Sequence, residues 1–438
     1  MRAVRIGAVI AFVVALGGCA WPQYRFSTEH TGFNPFETSI GTSNVGSLVE
    51  RWSATLGSSS YTGGSPVVAG GKVYVEGDRL YVFGTDDTGC AAGVCSPLWT
   101  ADIGLTGCVN QGCTQFWGPA VDGGKVFVAS GNGTLFAFDA QGVTGCGGTP
   151  RTCAPLWTAT YSSSPLVSVG VTVANGYVYV GGAAYDEAGV TNCSGTPKTC
   201  IPVWESQIQI FGAPAVSHGR VYLSGGTASG SAVWALDANG ITNCQPSGAV
   251  RECSPLWTAP LGSPSGSIVV DDGKVLVPSI SASTNAVVLV FDEAAGPTCS
   301  GTPLTCTPLW TDYQAGGGEI AVANGRVYTY GGAFDEQGVR GCTPNQCFPE
   351  FVGHFNGAVA NGVAYSGSPT NRVIEGFDEA GAKSCSADGG AYVRCTPLWT
   401  ASAPSSDFTG GGSSPAVING RVYWAAVGRL HVFALPAG

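Results

Sequence analysis

Charge is scarce in this chain. Asp, Glu, Lys and Arg make up only 11% of its 438 residues, and the acids outnumber the bases by 29 to 19. No Lys/Arg run occurs anywhere, so the clustered cations that a phosphate-binding surface needs are missing, and nucleic acid is excluded as a partner. Methionine occurs only at position 1, and the four His (His30, His218, His354, His431) fall in different parts of the chain. A His-based nucleophile or metal centre would have to be assembled across the fold. No long segment has the apolar period of a helix. There is no Gly-x-Ser-x-Gly elbow, Walker P-loop, EF-hand loop, Cys-x-x-Cys-His motif or adjacent Cys pair. Carboxylate pairs such as Asp86-Asp87 and Asp271-Asp272 read as solvated turns, not as acid/base pairs.

The chain opens MRAVRIGAVIAFVVALGGCAW. Two Arg precede an apolar run from Ile6 to Gly18, too short to span a bilayer and shaped like a secretory signal. Leu16-Gly17-Gly18-Cys19 resembles the bacterial lipobox, which implies cleavage after residue 18 and lipidation of Cys19. Loss of residues 1–18 takes two Arg and moves the net charge from −10 to −12. The residue after the Cys is Ala20 rather than Asp. By resemblance to Gram-negative sorting, this implies an outer-membrane lipoprotein facing the periplasm or the cell surface if the host is Gram-negative, and a plasma-membrane anchor in a Gram-positive host. No other segment is apolar enough to cross a membrane.

Cysteine, by contrast, is abundant and odd in number, at 17. With Cys19 assigned to lipid, sixteen remain in eight local pairs: Cys90 with Cys95, Cys108 with Cys113, Cys146 with Cys153, Cys193 with Cys200, Cys244 with Cys253, Cys299 with Cys306, Cys342 with Cys347, and Cys385 with Cys395. In an exported chain an even set of paired Cys implies disulfides. A zinc reading lacks a nearby His or second pair and a regular spacing. Each bridge closes a short loop and acts as a local staple.

The Cys loops belong to a longer repeat. Trp52, Trp99, Trp157, Trp204, Trp257, Trp310, Phe351 and Trp399 recur at intervals of 41 to 58 residues. Each unit carries four short segments with alternating apolar residues, as in GPAVDGG, KVFVASG, TLFAFDAQG and APLWTAT. Gly-Gly, Asn-Gly and Asp-Gly between the first two are hairpin signals. Four strands at this period predict an all-β fold, an eight-bladed β-propeller of four-stranded antiparallel blades. The chain ends after a third strand and begins its repeats with a lone fourth one, ERWSATLG, so the N-terminal strand is expected to close the C-terminal blade. Residues 19–47 then form a lead-in or tether, and 48–438 a single propeller domain. The repeated Trp reads as interblade packing, and the Asp of FDAQG or FDEAG as a turn residue.

AFDAQG…PLWTA and ALDANG…PLWTA resemble the Ala-Leu-Asp-Ala-x-Thr-Gly…Trp repeat of pyrroloquinoline-quinone (PQQ)-type propellers, and WPQYRFSTEHTGFNPFE resembles the lead-in of exported proteins of that superfamily. The Cys loop before each Trp departs from the pattern. The resemblance implies two outcomes. Dehydrogenases of this superfamily hold PQQ and calcium over the channel, whereas other members are non-catalytic envelope scaffolds. This chain has no calcium ligand set that carries across by motif.

The Cys loops and first-to-second turns emerge on one face. The second-to-third loops and the interblade links emerge on the other, which is rich in Gly and Ser and has no staples. Binding is expected on that unstapled face and at the channel mouth. Trp117, Glu319, Arg372, Glu76, Asp78 and Arg79 depart from the repeat there and form the candidate ligand or partner site. The favoured function is an envelope-anchored, non-catalytic scaffold, with no cofactor expected, an envelope protein as partner and a monomeric state. The alternatives are a PQQ/calcium quinoprotein dehydrogenase and a carbohydrate-binding propeller.

Overall fold

Unit two shows how the sequence makes a blade. Its inner strand Ala120–Asp122 is followed by Lys125–Ser130, Thr134–Asp139 and the outer strand Trp157–Thr160. Neighbours are antiparallel, with Leu135 facing both Ala129 and Ala159. Gly123 and Gly124 both have positive φ, 51° and 75°. This two-residue turn matches the twist of the strands it joins. Asn175-Gly176, Asn324-Gly325, Asn361-Gly362 and Asn419-Gly420 repeat it in other units. Val126, Phe127 and Val128 are all buried, because neighbouring blades cover both faces of the sheet.

This computed structural model describes residues 20–57, 64–105, 117–162, 169–227, 230–280, 286–312, 318–343, 346–355, 357–367, 372–387, 392–403, 413–426 and 428–436. The expectations for residues 1–19, Cys19 included, and for the bridge between Cys108 and Cys113 lie outside them.

The structure corrects the expected fold in the make-up of its blades. The described residues form eight sheets, of which one has five strands, six have six and one has seven. The blades are neither four-stranded nor purely antiparallel. The extra strands come from the Cys loops of the following unit. Cys146–Gly147 and Thr152–Cys153 pair as a short hairpin, which leaves its own blade and adds in parallel to Trp99–Ala101 of unit one, Thr152 facing Thr100. The same step places Thr199 on Thr158, Arg251 on Trp204, Thr305 on Thr258, Gln346 on Thr311, Val393 on Phe351 and Val94 on Ser53. The physical reason is the outer edge. Its outward N–H groups need acceptors, and the amides of Thr100, Thr158 and Thr258 donate to the carbonyls of Arg151, Lys198 and Leu304 at 3.1, 3.1 and 2.9 Å.

Disulfides close these hairpins. Cys90 is bonded to Cys95, Cys146 to Cys153, Cys193 to Cys200 and Cys244 to Cys253. Cys299 is bonded to Cys306, Cys342 to Cys347 and Cys385 to Cys395. The structure thus corrects the expectation that these bridges are purely local staples. Each is local in sequence, but the hairpin it rigidifies spans two blades. Cys95, Cys153, Cys200, Cys253, Cys306, Cys347 and Cys395 end the hairpin arm that pairs with the preceding blade, and all seven are buried. Among the described residues, the outer strand Trp399–Ser402 receives no such hairpin. There the indole of Trp399 donates to the carbonyl of Leu48, directly after the lead-in, at 3.2 Å. Val49–Thr55 pairs antiparallel with Arg429–Ala434, joining the start of the ring to its end.

The Asp-x-x-Gly turn that follows the third strand in five units serves two purposes. The Asp139 carboxylate accepts from the amides of Gln141, Val143 and Thr144, at 2.9, 3.1 and 2.6 Å. Gly142 has φ +70°, and a Cβ there would lie 2.3 Å from the Trp99 ring of the preceding blade. Gly189 on Trp157, Gly240 on Trp204, Gly338 on Trp310 and Gly381 on Phe351 repeat the contact. The repeated Trp and Gly are thus two halves of one interblade joint.

The lead-in is woven into the ring. From Trp21 it follows the axis and hydrogen-bonds the middle residue of successive inner strands. Trp21 exchanges bonds with Val68, and the amides of Val121, Val216, Val270, Val322 and Val359 donate to the carbonyls of Pro22, Thr28, Glu29, Thr31 and Gly32 at 2.7 to 2.9 Å. The Gln23 side chain accepts from Val173, and the Asn34 side chain donates to the Val417 carbonyl. The segment then crosses the first-to-second turns of the last two units. Glu37 accepts from the Gly420 amide, and Lys383 donates to Thr42. Arg25, Phe26 and His30 have positive φ of 55°, 79° and 60°, the cost of bending around so tight a circle.

Candidate functional site

The axial mouth on the unstapled side is built from both the ring and the lead-in. Trp117 and Glu319 stand just ahead of their inner strands and meet side chains that rise from the lead-in. Arg25, fully buried, places Nη1 3.9 Å from a Glu319 carboxylate oxygen. It also donates to the carbonyl of His30, to Ser414 Oγ and to the carbonyl of Ile320. The Tyr24 ring lies edge-on to Trp117 at 5.3 Å and to His30 at 5.4 Å, and Trp117 lies edge-on to Phe211 at 6.0 Å.

Burial dominates the electrostatics. It pushes the Glu319 carboxyl above the usual range, with Arg25, the Tyr24 hydroxyl and the Ser267 amide opposing it. The Tyr24 hydroxyl is raised by burial and then by Glu319. His30 is lowered to about 3 by burial and by Arg25, and so is neutral; its Nε2 lies 3.0 Å from Thr172 Oγ1. The arrangement is a buried polar knot in which His30 Nδ1 and Glu319 Oε2 have no hydrogen-bond partner.

The six residues singled out from the sequence separate into groups. Trp117 and Glu319 come together through Tyr24 and Arg25. Glu76 is buried and its carboxyl is raised by burial. It approaches Trp117 across Gly64, where a Cβ would lie 2.4 Å from the Trp117 carbonyl oxygen and 3.3 Å from Glu76 Cβ. Asp78 and Arg79 pair with each other at 3.4 Å, and Asp78 accepts from Tyr81 at 2.6 Å, away from the axis. Arg79 lines an open cleft of about 610 Å³ with Thr100, Asp102, Gly145 and Thr152, where the unit-two hairpin lies over blade one. Arg372 stands beside the outer strand of its own blade, its carbonyl accepting from the Ala403 amide. The sequence reading missed Tyr24, Arg25 and His30. The signal was a charged and aromatic cluster in a segment without repeat character, read only as a lead-in.

No family model matches the chain, and no curated protein does so either. Solved structures do. The quinohemoprotein alcohol dehydrogenase of Comamonas testosteroni matches with a TM-score of 0.58 at 13% identity, over 96% of this chain and 81% of that one. A europium-containing methanol dehydrogenase gives 0.57 at 13%, over 95% and 98%. BamB of Moraxella catarrhalis gives 0.51 at 15%, over 88% and 99%. The fold is a β-propeller, as it is in these three structures. At these identities the likeness fixes architecture and leaves activity open.

A quinone and its metal would sit at the axial mouth by resemblance to the dehydrogenases, and the residues described there do not fit them. Among the described residues no group of three or more His, Cys, Asp or Glu is placed to hold a metal ion. The axial carboxylate, Glu319, faces a guanidinium, and the faces of Tyr24 and Trp117 are engaged with each other and with Phe211.

Proposed function

We propose that this chain is an exported lipoprotein, cleaved after residue 18 and anchored through Cys19, whose propeller serves as a binding scaffold in the cell envelope. The observation that carries this reading is the axial knot. Among the described residues Arg25 and Tyr24 fill the axial mouth, and Arg25 faces the Glu319 carboxylate there. The disulfide-closed hairpins support an oxidising, extracytoplasmic compartment, and the likeness to BamB supports a scaffold role. Trp117, Glu319 and Glu76 mark the face that a partner would meet. The test is a titration of the mature chain, secreted with its disulfides formed, with PQQ plus calcium, followed by absorbance and native mass. No binding and no dye-linked alcohol or sugar oxidation is the expected result. Stoichiometric quinone binding with turnover would overturn the scaffold reading in favour of a quinoprotein dehydrogenase.

A further inference from the structure

Four of the exposed apolar residues of this protein recur at one place in the repeat. Val143, Val190, Ile241 and Val339 are 68%, 72%, 67% and 74% exposed, and each directly follows the Gly of an Asp-x-x-Gly turn in its own unit. The turn geometry fixes where they point. Their preceding Gly is pinned under the Trp of the neighbouring blade, so the next residue is thrown outward at the foot of the blade. All four therefore lie on the stapled face.

Cations accompany them. The side chains of Arg151, Lys198 and Arg251 each donate to the carbonyl of the Gly just before Val143, Val190 and Ile241, at 2.9, 3.1 and 2.8 Å. An apolar side chain and a positive charge are thereby coupled three times around one rim.

The lead-in lies on the same face. It crosses the feet of the last two units, where Lys383 meets Thr42 and Ser39 lies against Gly420. It also carries Phe36, 54% exposed, on this side of the ring. Its first described residues enter at Trp21, bonded to Val68 beside the Gly70-Gly71 turn, two residues after Cys19.

We propose that the stapled face lies flat on an anionic bilayer, with Val143, Val190, Ile241 and Val339 dipping into the headgroup boundary from the rim, Phe36 from the middle, and Arg151, Lys198 and Arg251 at the level of lipid phosphates. Small apolar groups beside cations are the chemistry of a reversible interfacial contact. The proposal deepens the lipoprotein reading: the anchor supplies residence, and this face sets orientation. It turns the axial mouth, with Trp117 and Glu319, away from the membrane and toward partners.

The test uses the mature chain from Ala20, without lipid, so that it succeeds or fails separately from the anchor. Sedimentation is measured with vesicles of phosphatidylglycerol mixed with phosphatidylethanolamine, and with vesicles of phosphatidylcholine alone. Binding to the anionic vesicles, weakened by salt, is expected. The quadruple variant Val143→Ser, Val190→Ser, Ile241→Ser, Val339→Ser should lose about tenfold in partitioning, which corresponds to about 1.4 kcal/mol shared among four side chains, with an unchanged melting temperature. The triple variant Arg151→Gln, Lys198→Gln, Arg251→Gln should lose the salt dependence. Failure of the lipid-free chain to bind, or equal binding by the quadruple variant, overturns the proposal. If a lipidated chain still fractionates with membranes in that case, the anchor stands and the rim is left for a protein partner.

Discussion

Arg25 offers the sharpest test of how the ring is held at its axis. Its side chain is fully buried and faces Glu319 while donating to His30, Ser414 and Ile320. Replacing it with Met keeps most of the volume and removes the charge and the donors. The Glu319 carboxylate is then left in a low-dielectric mouth without its counter-ion, a loss of about 3–5 kcal/mol when one partner of a buried pair is removed. A ring of this length unfolds with an entropy of about 0.9 kcal/mol per degree. The expected fall in melting temperature is therefore about 3–6 °C. The sign of its pH dependence follows from Glu319, whose carboxyl is already raised by burial and loses its main opposing charge in the variant. The folded state then binds a proton more tightly than the unfolded state does. The deficit should shrink as pH falls toward the ordinary Glu range and grow toward neutrality. Arg25→Met combined with Glu319→Gln should recover part of the loss at pH 8. Differential scanning calorimetry across pH on the three proteins decides it. Arg25→Met melting with wild type at neutral pH, or a double variant no better than the single, would refute the ion pair as a structural element.

Two further outcomes follow from the same reasoning. Glu336 is buried against Asp271 of the preceding blade, and burial and then Asp271 raise it to about 7. Its folded value lies above its unfolded value, so the contribution of this one group is most favourable at low pH and worsens by about 2 kcal/mol, after allowance for solvent screening, as pH rises from about 4.5 through about 7; Glu336→Gln should remove that component of the slope in urea unfolding measured at several pH values. Gly142→Ala drives a Cβ to 2.3 Å from the Trp99 ring at φ +70°, whereas Gly124, at φ +75°, has nothing within 4 Å of its Cβ position. Both variants carry a left-handed cost of about 1–2 kcal/mol, so Gly142→Ala should be the less stable by a further ~1–3 kcal/mol of overpacking. Equal losses in thermal unfolding would mean that the Trp–Gly joint is loose.

Much of the ring is legible in the sequence because its physics is local. The left-handed Gly and Asn of the first-to-second turns, the alternation in KVFVASG and the Asp that closes each turn all act within a few residues. The Trp could be read as interblade packing because a large ring recurring once per blade has nowhere else to go; its exact seat, on the Gly of the next Asp-x-x-Gly, depends on how neighbouring blades meet in space. The pairing of Cys146 with Cys153 or Cys193 with Cys200 was legible from spacing alone, but the destination of the hairpins they close was not. Two residues per strand carry no periodicity, and parallel pairing with the neighbouring blade depends on where the edge of that blade lies in space. At the axis, Glu319 and Trp117 stood out as departures from the repeat, but their partners Arg25 and Tyr24 lie in a segment without repeat character. That segment bonds the ring mainly through backbone groups, and backbone bonding leaves no mark on side-chain identity.

These two unread features share one consequence. A propeller blade touches only its neighbours, so a ring of blades is in principle a chain of separable joints. In this protein the hairpin of one unit completes the sheet of the unit before it, and the lead-in bonds an inner strand in every unit. Opening one joint therefore exposes the edge of a neighbouring sheet at the rim and strips a hydrogen bond at the axis. The joint that shows no hairpin among the described residues is the instructive one. At Trp399–Ser402 the N-terminal segment itself, through Leu48, meets the indole of Trp399, and the same segment, at Arg25 and Tyr24, fastens the mouth. The strand that begins the ring, the contact at Trp399 and the plug at its centre are one continuous piece of chain, so the N-terminal segment is also the piece that keeps the ring closed.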